Sequence, residues 1–139
     1  MITLEELQRR GTGFLPGYLG VAITGLAAHE IRAELSILPH HIAPNGYLHA
    51  GTVVTLADTA SGYGCIAHLP AGATGFTTIE LKSNFLGTAR DGTIACVARA
   101  VHLGRTTQLW DAVVTHRETG RTIALFRCTQ LVLYPNEPG

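Results

Sequence analysis

The sequence predicts an α+β domain: a short N-terminal helix, a β-hairpin, one long buried helix, then three or four meandering antiparallel strands. Three observations carry this. Residues 49–68 place Val53, Leu56, Ala57, Ala60, Tyr63, Gly64 and Ala67 at helical spacing among many small residues. Residues 30–37 alternate Glu30, Arg32, Glu34 and Ser36 with Ile31, Ala33, Leu35 and Ile37, the period of a half-buried strand. From residue 75 onward, strand-like runs are separated by turn signals at Asp91-Gly92, Leu103-Gly104-Arg105 and Thr119-Gly120.

Each element follows in order. Thr3 is a candidate N-cap for a helix over 3–10, with Glu5 and Glu6 in its first turn and Arg9 and Arg10 in its last. Gly11, Gly13, Pro16 and Gly17 break it. Residues 18–24 read as a first strand, paired with residues 30–37 through a turn at 25–28. Residues 39–48 form a loop in which His40 and His41 are expected to be exposed. The helix over 49–68 is so apolar that it reads as wrapped by other structure, although Gly51, Gly62 and Gly64 lower its propensity. Strands are expected over 75–86, 93–102, 106–117 and 122–134, and a loose tail over 135–139. One domain spans 1–139.

Composition narrows the function. Hydrophobic residues make up 46% and charged residues only 14% of the 139, against the usual ~25% charged. So few surface charges suggest that part of the surface is covered by another copy. Ten basic and ten acidic residues cancel, so no field exists to hold nucleic acid or a membrane surface. Cys65, Cys96 and Cys128 read as buried free thiols of a reducing compartment. The polar first ten residues are neither signal nor transit peptide, and no run reaches membrane-span length. The expected location is cytoplasmic. Seven scattered His make no metal-ligand spacing, and Ser61 lacks the frame of a nucleophile elbow.

One segment is specific: Asn45-Gly46-Tyr47-Leu48-His49-Ala50-Gly51-Thr52-Val53-Val54-Thr55-Leu56-Ala57-Asp58-Thr59-Ala60. It resembles the signature of hotdog-fold thioesterases of the phenylacetate-pathway and hydroxybenzoyl-CoA type: Asn, a short gap, His-Gly-Gly, then an acidic residue on the helix. The run Thr77-Thr78-Ile79-Glu80-Leu81-Lys82-Ser83-Asn84-Phe85-Leu86 looks like the strand that follows in that family. The resemblance covers roughly residues 15–134. It implies a hotdog fold, a five- to six-stranded antiparallel sheet wrapped around one long helix. It also implies hydrolysis of an acyl-CoA, aromatic or medium-chain, by a homodimer or homotetramer, with the CoA thioester as substrate and no cofactor or metal. One departure is Ala50, where the family has Gly. The backbone N–H survives, and an added Cβ narrows the space beside the thioester.

The chemistry needs a donor for the developing oxyanion and a carboxylate to attack or to activate water. Ala50 and Gly51 offer N–H groups and the positive end of the helix dipole. Asp58 offers the carboxylate, in a context (Leu56, Ala57, Ala60) unlike that of a surface Asp. Asn45 reads as a holder of carbonyl or water, or as a plain turn residue. His49 reads more readily as a residue tying the loop to the helix than as a catalyst. By the resemblance, Thr78 positions water or Asp58, with Thr77 as rival, and Arg105 beside Gly104 lies near the CoA nucleotide. Lys82 and Arg90 are further candidate cations.

Ala50 and Asp58 are eight positions apart, ~12 Å along one helix, so one carbonyl cannot touch both. A site that uses both combines two subunits with antiparallel helices. A non-catalytic acyl-CoA binding module and a hotdog dehydratase are the alternatives. The first lacks support because Asp58 is kept and no DNA-binding segment is evident. The second would need a differently placed His–acid pair.

Overall fold

The computed structural model describes residues 1–136 and orders the chain as follows. Helices α1 (Leu4–Arg10) and α2 (Leu15–Leu19) lead into β1 (Ala22–Ala27) and β2 (Glu30–Ser36). A single 3-10 turn, Pro39–His41, precedes α3 (Ala50–Ala67). Strands β3 (Gly75–Phe85), β4 (Thr93–Leu103), β5 (Thr107–His116) and β6 (Thr122–Leu133) complete the chain. The six strands form one antiparallel sheet in the order β1-β2-β4-β5-β6-β3, wrapped around α3. This is the hotdog arrangement. Residues 137–139 of the expected tail lie outside the described residues.

Local rules account for most elements. Thr3 caps α1 with a full capping box: its hydroxyl accepts from Glu6 N–H, and the Glu6 carboxylate accepts from Thr3 N–H. In β2, Ile31, Ala33 and Leu35 are buried while Arg32 and Ser36 are exposed, as the alternation requires. The inner faces of β4, β5 and β6 bury Ile94, Cys96, Ala98, Trp110, Ala112, Val114, Phe126 and Cys128 against Val53, Leu56, Ala57 and Ala60 of α3.

Two expectations at the N-terminal end fail. Residues 18–24 are not a strand from the start, because Tyr18 and Leu19 finish α2, which ends at Gly20 in a left-handed conformation (φ 83°). Pro16 inside the first turn favours that helix. The hairpin turn sits at Ala28–His29, not 25–28, and Gly25 lies within β1 at a register shift. His29 has φ 63° and is held by donating its N–H to Nε2 of His68 (2.8 Å) at the end of α3.

His41 is the third difference. It is fully buried rather than exposed. Its Nδ1 accepts from Leu38 N–H (2.9 Å) and its Nε2–H donates to Leu19 O (2.7 Å), so the ring is neutral. Its carbonyl accepts from His49 N–H (3.0 Å) and from the Thr52 hydroxyl (3.1 Å). One residue thus joins α2, the 39–49 loop and the start of α3, its ring serving the first two and its carbonyl the third. Burial lowers the ring's pKa from the ordinary 6.5, and its bond to Leu19 O opposes this only partly. A His held neutral adds stability above the ordinary imidazole value, and that stability is lost as pH falls through it. His41→Ala should therefore cost roughly 2–4 kcal/mol at pH 8. Melting curves from pH 8 to pH 5 should fall less steeply for the variant than for the wild type. Equal slopes would show that His41 is not the acid-sensitive group.

Candidate active site

The start of α3 is an exposed helix N-terminus. His49 is its N-cap, with extended backbone (φ −68°, ψ 135°). Its Nδ1 accepts from Gly51 N–H at 2.7 Å, so the neutral ring carries its proton on Nε2. His49 O accepts from Thr52 N–H (3.0 Å). Of the two N–H groups nominated for the oxyanion, Gly51's is therefore occupied. Ala50 N–H makes no hydrogen bond among the described residues and is the one left for a ligand. Gly51 has its own reason to lack a side chain, since a Cβ there would lie 2.9 Å from His49 Nδ1.

Asn45 is exposed, and its Oδ1 accepts from Tyr47 N–H (3.1 Å). The turn closes through Gly46 at φ 89°. The carbonyl half of the amide is thus spent locally and Nδ2 remains free. The Arg90 guanidinium lies 4.5 Å over the Tyr47 ring, which puts a cation near the start of α3.

Asp58 sits midway along α3, half-buried. Its Oδ1 is buried and has no hydrogen-bond partner among the described residues, and burial raises its carboxyl above the ordinary value of 3.8. A carboxylate left this way costs stability, which marks it as a functional candidate. One turn on, the Ser61 hydroxyl is also buried without a normal hydrogen bond. It neighbours the Cys128 thiol, which burial pushes up to about 12, with Asp58 among the charges adding to the rise. Cys65 and Cys96 are likewise buried and pushed up to about 12 by burial. These thiols are protonated packing groups.

Thr78 faces inward from β3. Its hydroxyl donates to Oε1 of Gln130 at 2.7 Å, and the register of β3 on β6 shifts between Thr78 and Glu80. Thr77 is exposed and points the other way. Thus Thr78 is tied to Gln130 and through it to Cys128, the thiol that also feels the charge of Asp58, while Ala50 and Asn45 lie at the N-terminal end of α3.

The proposed cations divide. Arg105, beside Gly104 in the β4–β5 turn, is exposed; its guanidinium lies 5.5 Å over Tyr134 and its carbonyl accepts from the Tyr134 hydroxyl. That turn lies at the C-terminal end of α3, where Gln108 donates to His68 O (2.9 Å). Lys82 lies elsewhere on the sheet. Its register partner is Arg127, and both belong to the outer face of the sheet, away from α3. The register shift between Thr78 and Glu80 sets Lys82 on the face opposite to Thr78. Two cavities of the single chain, one under Lys82 and one between Ile2, Leu26 and His68, do not include Asp58. Among the described residues no group of three or more His, Cys, Asp or Glu could hold a metal ion, and no helix is long and apolar enough to cross a membrane.

Sequence reasoning missed Gln108 and Gln130. Both are fully buried and face each other across β5 and β6. The signal was present: each has the inward parity of its strand, with Trp110 and Cys128.

Comparison with known proteins places this geometry. The profile of the thioesterase superfamily matches residues 45–127, more than half of the chain. A protein of Bacillus subtilis, ComA2, is 33% identical over 118 residues, covering 83% of this chain and 90% of that one. A 1,4-dihydroxy-2-naphthoyl-CoA hydrolase of Escherichia coli is 29% identical over 135 residues, covering 95% and 96%. The crystal structure of a variant of thioesterase PA1618 of Pseudomonas aeruginosa superposes with a TM-score of 0.90 at 27% identity, covering 96% of this chain and 95% of that one. The family match runs from the Asn45 turn through α3 into β6, these relatives align over most of the chain, and the chain belongs to the thioesterase superfamily as a hotdog-fold enzyme that hydrolyses thioesters.

Proposed function

We propose that this enzyme hydrolyses an aromatic acyl-CoA to the free acid and CoA, at sites each built from two subunits. The observation that carries the reading is the division of labour along α3. The free donor is at Ala50, the unpartnered carboxylate is at Asp58, and a helix holds them ~12 Å apart. A two-fold that sets two α3 helices antiparallel brings Ala50 of one chain to Asp58 of the partner subunit. The same two-fold brings Arg105 of the partner subunit toward the Tyr47–Arg90 corner, giving cations from both chains for the CoA phosphates. Strand β3 supports such a partner. It is an edge strand of 11 residues that exposes Ile79, Leu81 and Phe85, the kind of edge that pairs with another copy. The naphthoyl-CoA relative favours an aromatic acyl group.

The steps follow from these positions. The thioester oxygen accepts from Ala50 N–H at the positive end of α3, with the His49 Nε2–H as a second donor beside it. Asp58 of the partner subunit takes a proton from water held near Thr78. The water oxygen adds to the acyl carbon, the C–S bond breaks, and the thiolate leaves as CoA.

Thiol release should be measured with phenylacetyl-, benzoyl-, hydroxybenzoyl-, hexanoyl- and palmitoyl-CoA. Wild type should favour the aromatic esters, and Asp58→Asn should lose most turnover; full activity in that variant would sink the mechanism. Because burial raises the Asp58 carboxyl, its ionised form costs stability as pH rises above the ordinary value. Asp58→Asn should therefore melt at or above the wild-type temperature at pH 7.5, and the difference should vanish in acid. A lower Tm at pH 7.5 would mean that the carboxylate stabilises the fold.

The oxyanion donor has a clean test. Position 50 is the first residue of α3, where Pro fits, and His49 already has the backbone that a following Pro demands. Ala50→Pro removes only the free N–H. It should lower kcat by about 10²–10³ with Tm retained; unchanged kcat would remove Ala50 from the site. Mixing Ala50→Pro with Asp58→Asn and allowing subunit exchange should restore about a quarter of wild-type activity, since each mixed dimer holds one intact site. No recovery would argue for sites within single chains.

A further inference from the structure

We infer that Gln130 is a positioning residue that fixes the Thr78 hydroxyl as a hydrogen-bond acceptor for the attacking water, an inference that rests on the reading of Asp58 and Thr78 above. The argument starts from two buried amides on facing positions of β5 and β6, Gln108 and Gln130, each 0% exposed. A buried amide is costly unless its donors and acceptors are used.

Gln108 has structural employment. Its Nε2 donates to His68 O at the end of α3 (2.9 Å), and its Oε1 accepts from the Trp110 indole N–H (2.9 Å). Both partners are obligatory groups that would otherwise be orphaned in the core. Gln130 has no such employment. Its side chain serves no backbone group among the described residues. Its Nε2 faces the sulfur of Cys128 at 3.4 Å, a weak acceptor. Its one strong bond is the 2.7 Å contact in which Oε1 accepts the proton of the Thr78 hydroxyl. A Met of similar length would fill the same space without a buried amide, so the role of Gln130 is to be sought at Thr78.

The effect on Thr78 is a matter of proton count. A Thr hydroxyl has one proton to give and two lone pairs to accept with. Gln130 takes the proton, so Thr78 faces the layer below Asp58 only as an acceptor. An acceptor cannot stabilise an oxyanion, but it can hold water by one hydrogen. The other hydrogen then points to a second acceptor, and the carboxylate of Asp58 is the unpartnered one in this layer. One water proton goes to Asp58, the other hydrogen stays on the oxygen that becomes part of the product acid, and CoA thiolate is the leaving group. The break in register between Thr78 and Glu80 serves the same end, because a bulge re-aims the side chain beside it. The chain Thr78–Gln130–Cys128, with Ser61 and Asp58 beside the thiol, forms a polar seam through an otherwise apolar core.

The experiment compares Thr78→Val, Gln130→Met and the double variant, with kcat and KM measured on the best ester of the aromatic panel. Gln130→Met should lower kcat about tenfold with little change in KM and no loss of Tm, and adding it to Thr78→Val should lower kcat no further. Gln130→Glu should keep more kcat than Gln130→Met, because a carboxyl buried there stays protonated and retains an acceptor oxygen for the Thr78 proton. Wild-type kcat in Gln130→Met beside an impaired Thr78→Val would overturn the inference and leave the proposed mechanism standing. So would losses that multiply in the double variant, or a Gln130→Met effect confined to Tm. Wild-type kcat in Thr78→Val would instead overturn the placing of water at Thr78, and the inference with it.

Discussion

The close seating of α3 on the sheet governs the rest of the molecule. At Gly64 an added Cβ would lie 2.6 Å from the Trp110 ring, and at Gly62 it would lie 2.9 Å from Phe76. Such separations are not attainable for carbon atoms, so the helix backbone rests directly on two aromatic rings. The contact fixes both rotation and translation of α3. Leu56, Ala57 and Ala60 are turned into the sheet with no exposure, and the C-terminal carbonyls come within reach of Gln108. The glycines that weaken the helix as an isolated segment are the residues that let it be seated.

A helix fixed in this way acts as a ruler. Its N-terminus presents the Ala50 N–H and the His49 ring at one end, and Asp58 lies two turns along. The single chain is consistent with half of two different sites rather than one whole site. The proposed shared site gives a role to Asp58 in a setting that raises its carboxyl and leaves its Oδ1 and the neighbouring Ser61 hydroxyl without partners among the described residues. Such groups mark functional candidates; the Ser83 hydroxyl on β3 is left in the same way and has no part in the proposed site. By contrast, the bond from Gly51 N–H to His49 Nδ1 and the two ring bonds of His41 hold the helix start steady and leave the Ala50 N–H open to a ligand.

Much of this was legible in the sequence because the relevant signals are local. Helix α3, β2 and the four later strands follow from spacing and turn chemistry within a few residues. The Thr3–Glu6 cap was half visible, since Thr3 and the acidic first turn were read but not their pairing. What escaped depends on distant partners. Tyr18 and Leu19 belong to a helix whose end is fixed by Gly20 and whose Leu19 carbonyl is taken by His41, 22 residues on. His41 looked like a loop residue because nothing in its neighbourhood shows that α2 will cover it. Lys82 falls on one face with Glu80 and Asn84, as the alternation over 79–85 reads, and it is Thr78 that strict period two would misplace, because the register shift between Thr78 and Glu80 sets it on the opposite, inward face. Asn45 and Gly51 carried the family signature, yet hydrogen bonds within two residues occupy the Oδ1 of one and the N–H of the other.

The two edges of the sheet complete the argument about assembly. Strand β1 is only six residues long, carries a register shift near Gly25, and has its free edge covered. Gln8 of α1 donates to Val21 O (3.1 Å) and accepts from Ile23 N–H (2.7 Å), acting as a short surrogate strand. The outer face beside it holds the ion pairs, Glu30 with Arg32 and Arg99, and Glu34 with Arg117. These are water-facing groups worth little individually, but they mark that half of the sheet as solvated. Strand β3 shares the register shift, at Thr78–Glu80, and the Arg127–Asp111 pair lies on the outer face beside it, but among the described residues no helix lies along its free edge. It is nearly twice as long, no helix or side chain bonds its free edge among the described residues, and Ile79, Leu81 and Phe85 are about half exposed along it. A protein with only 14% charged residues has spent its edge protection on β1 and left β3 open. The open edge lies beside the layer that holds Asp58 and Thr78, so a second copy pairing there would cover the apolar strand and bring a helix N-terminus to the waiting carboxylate in one step.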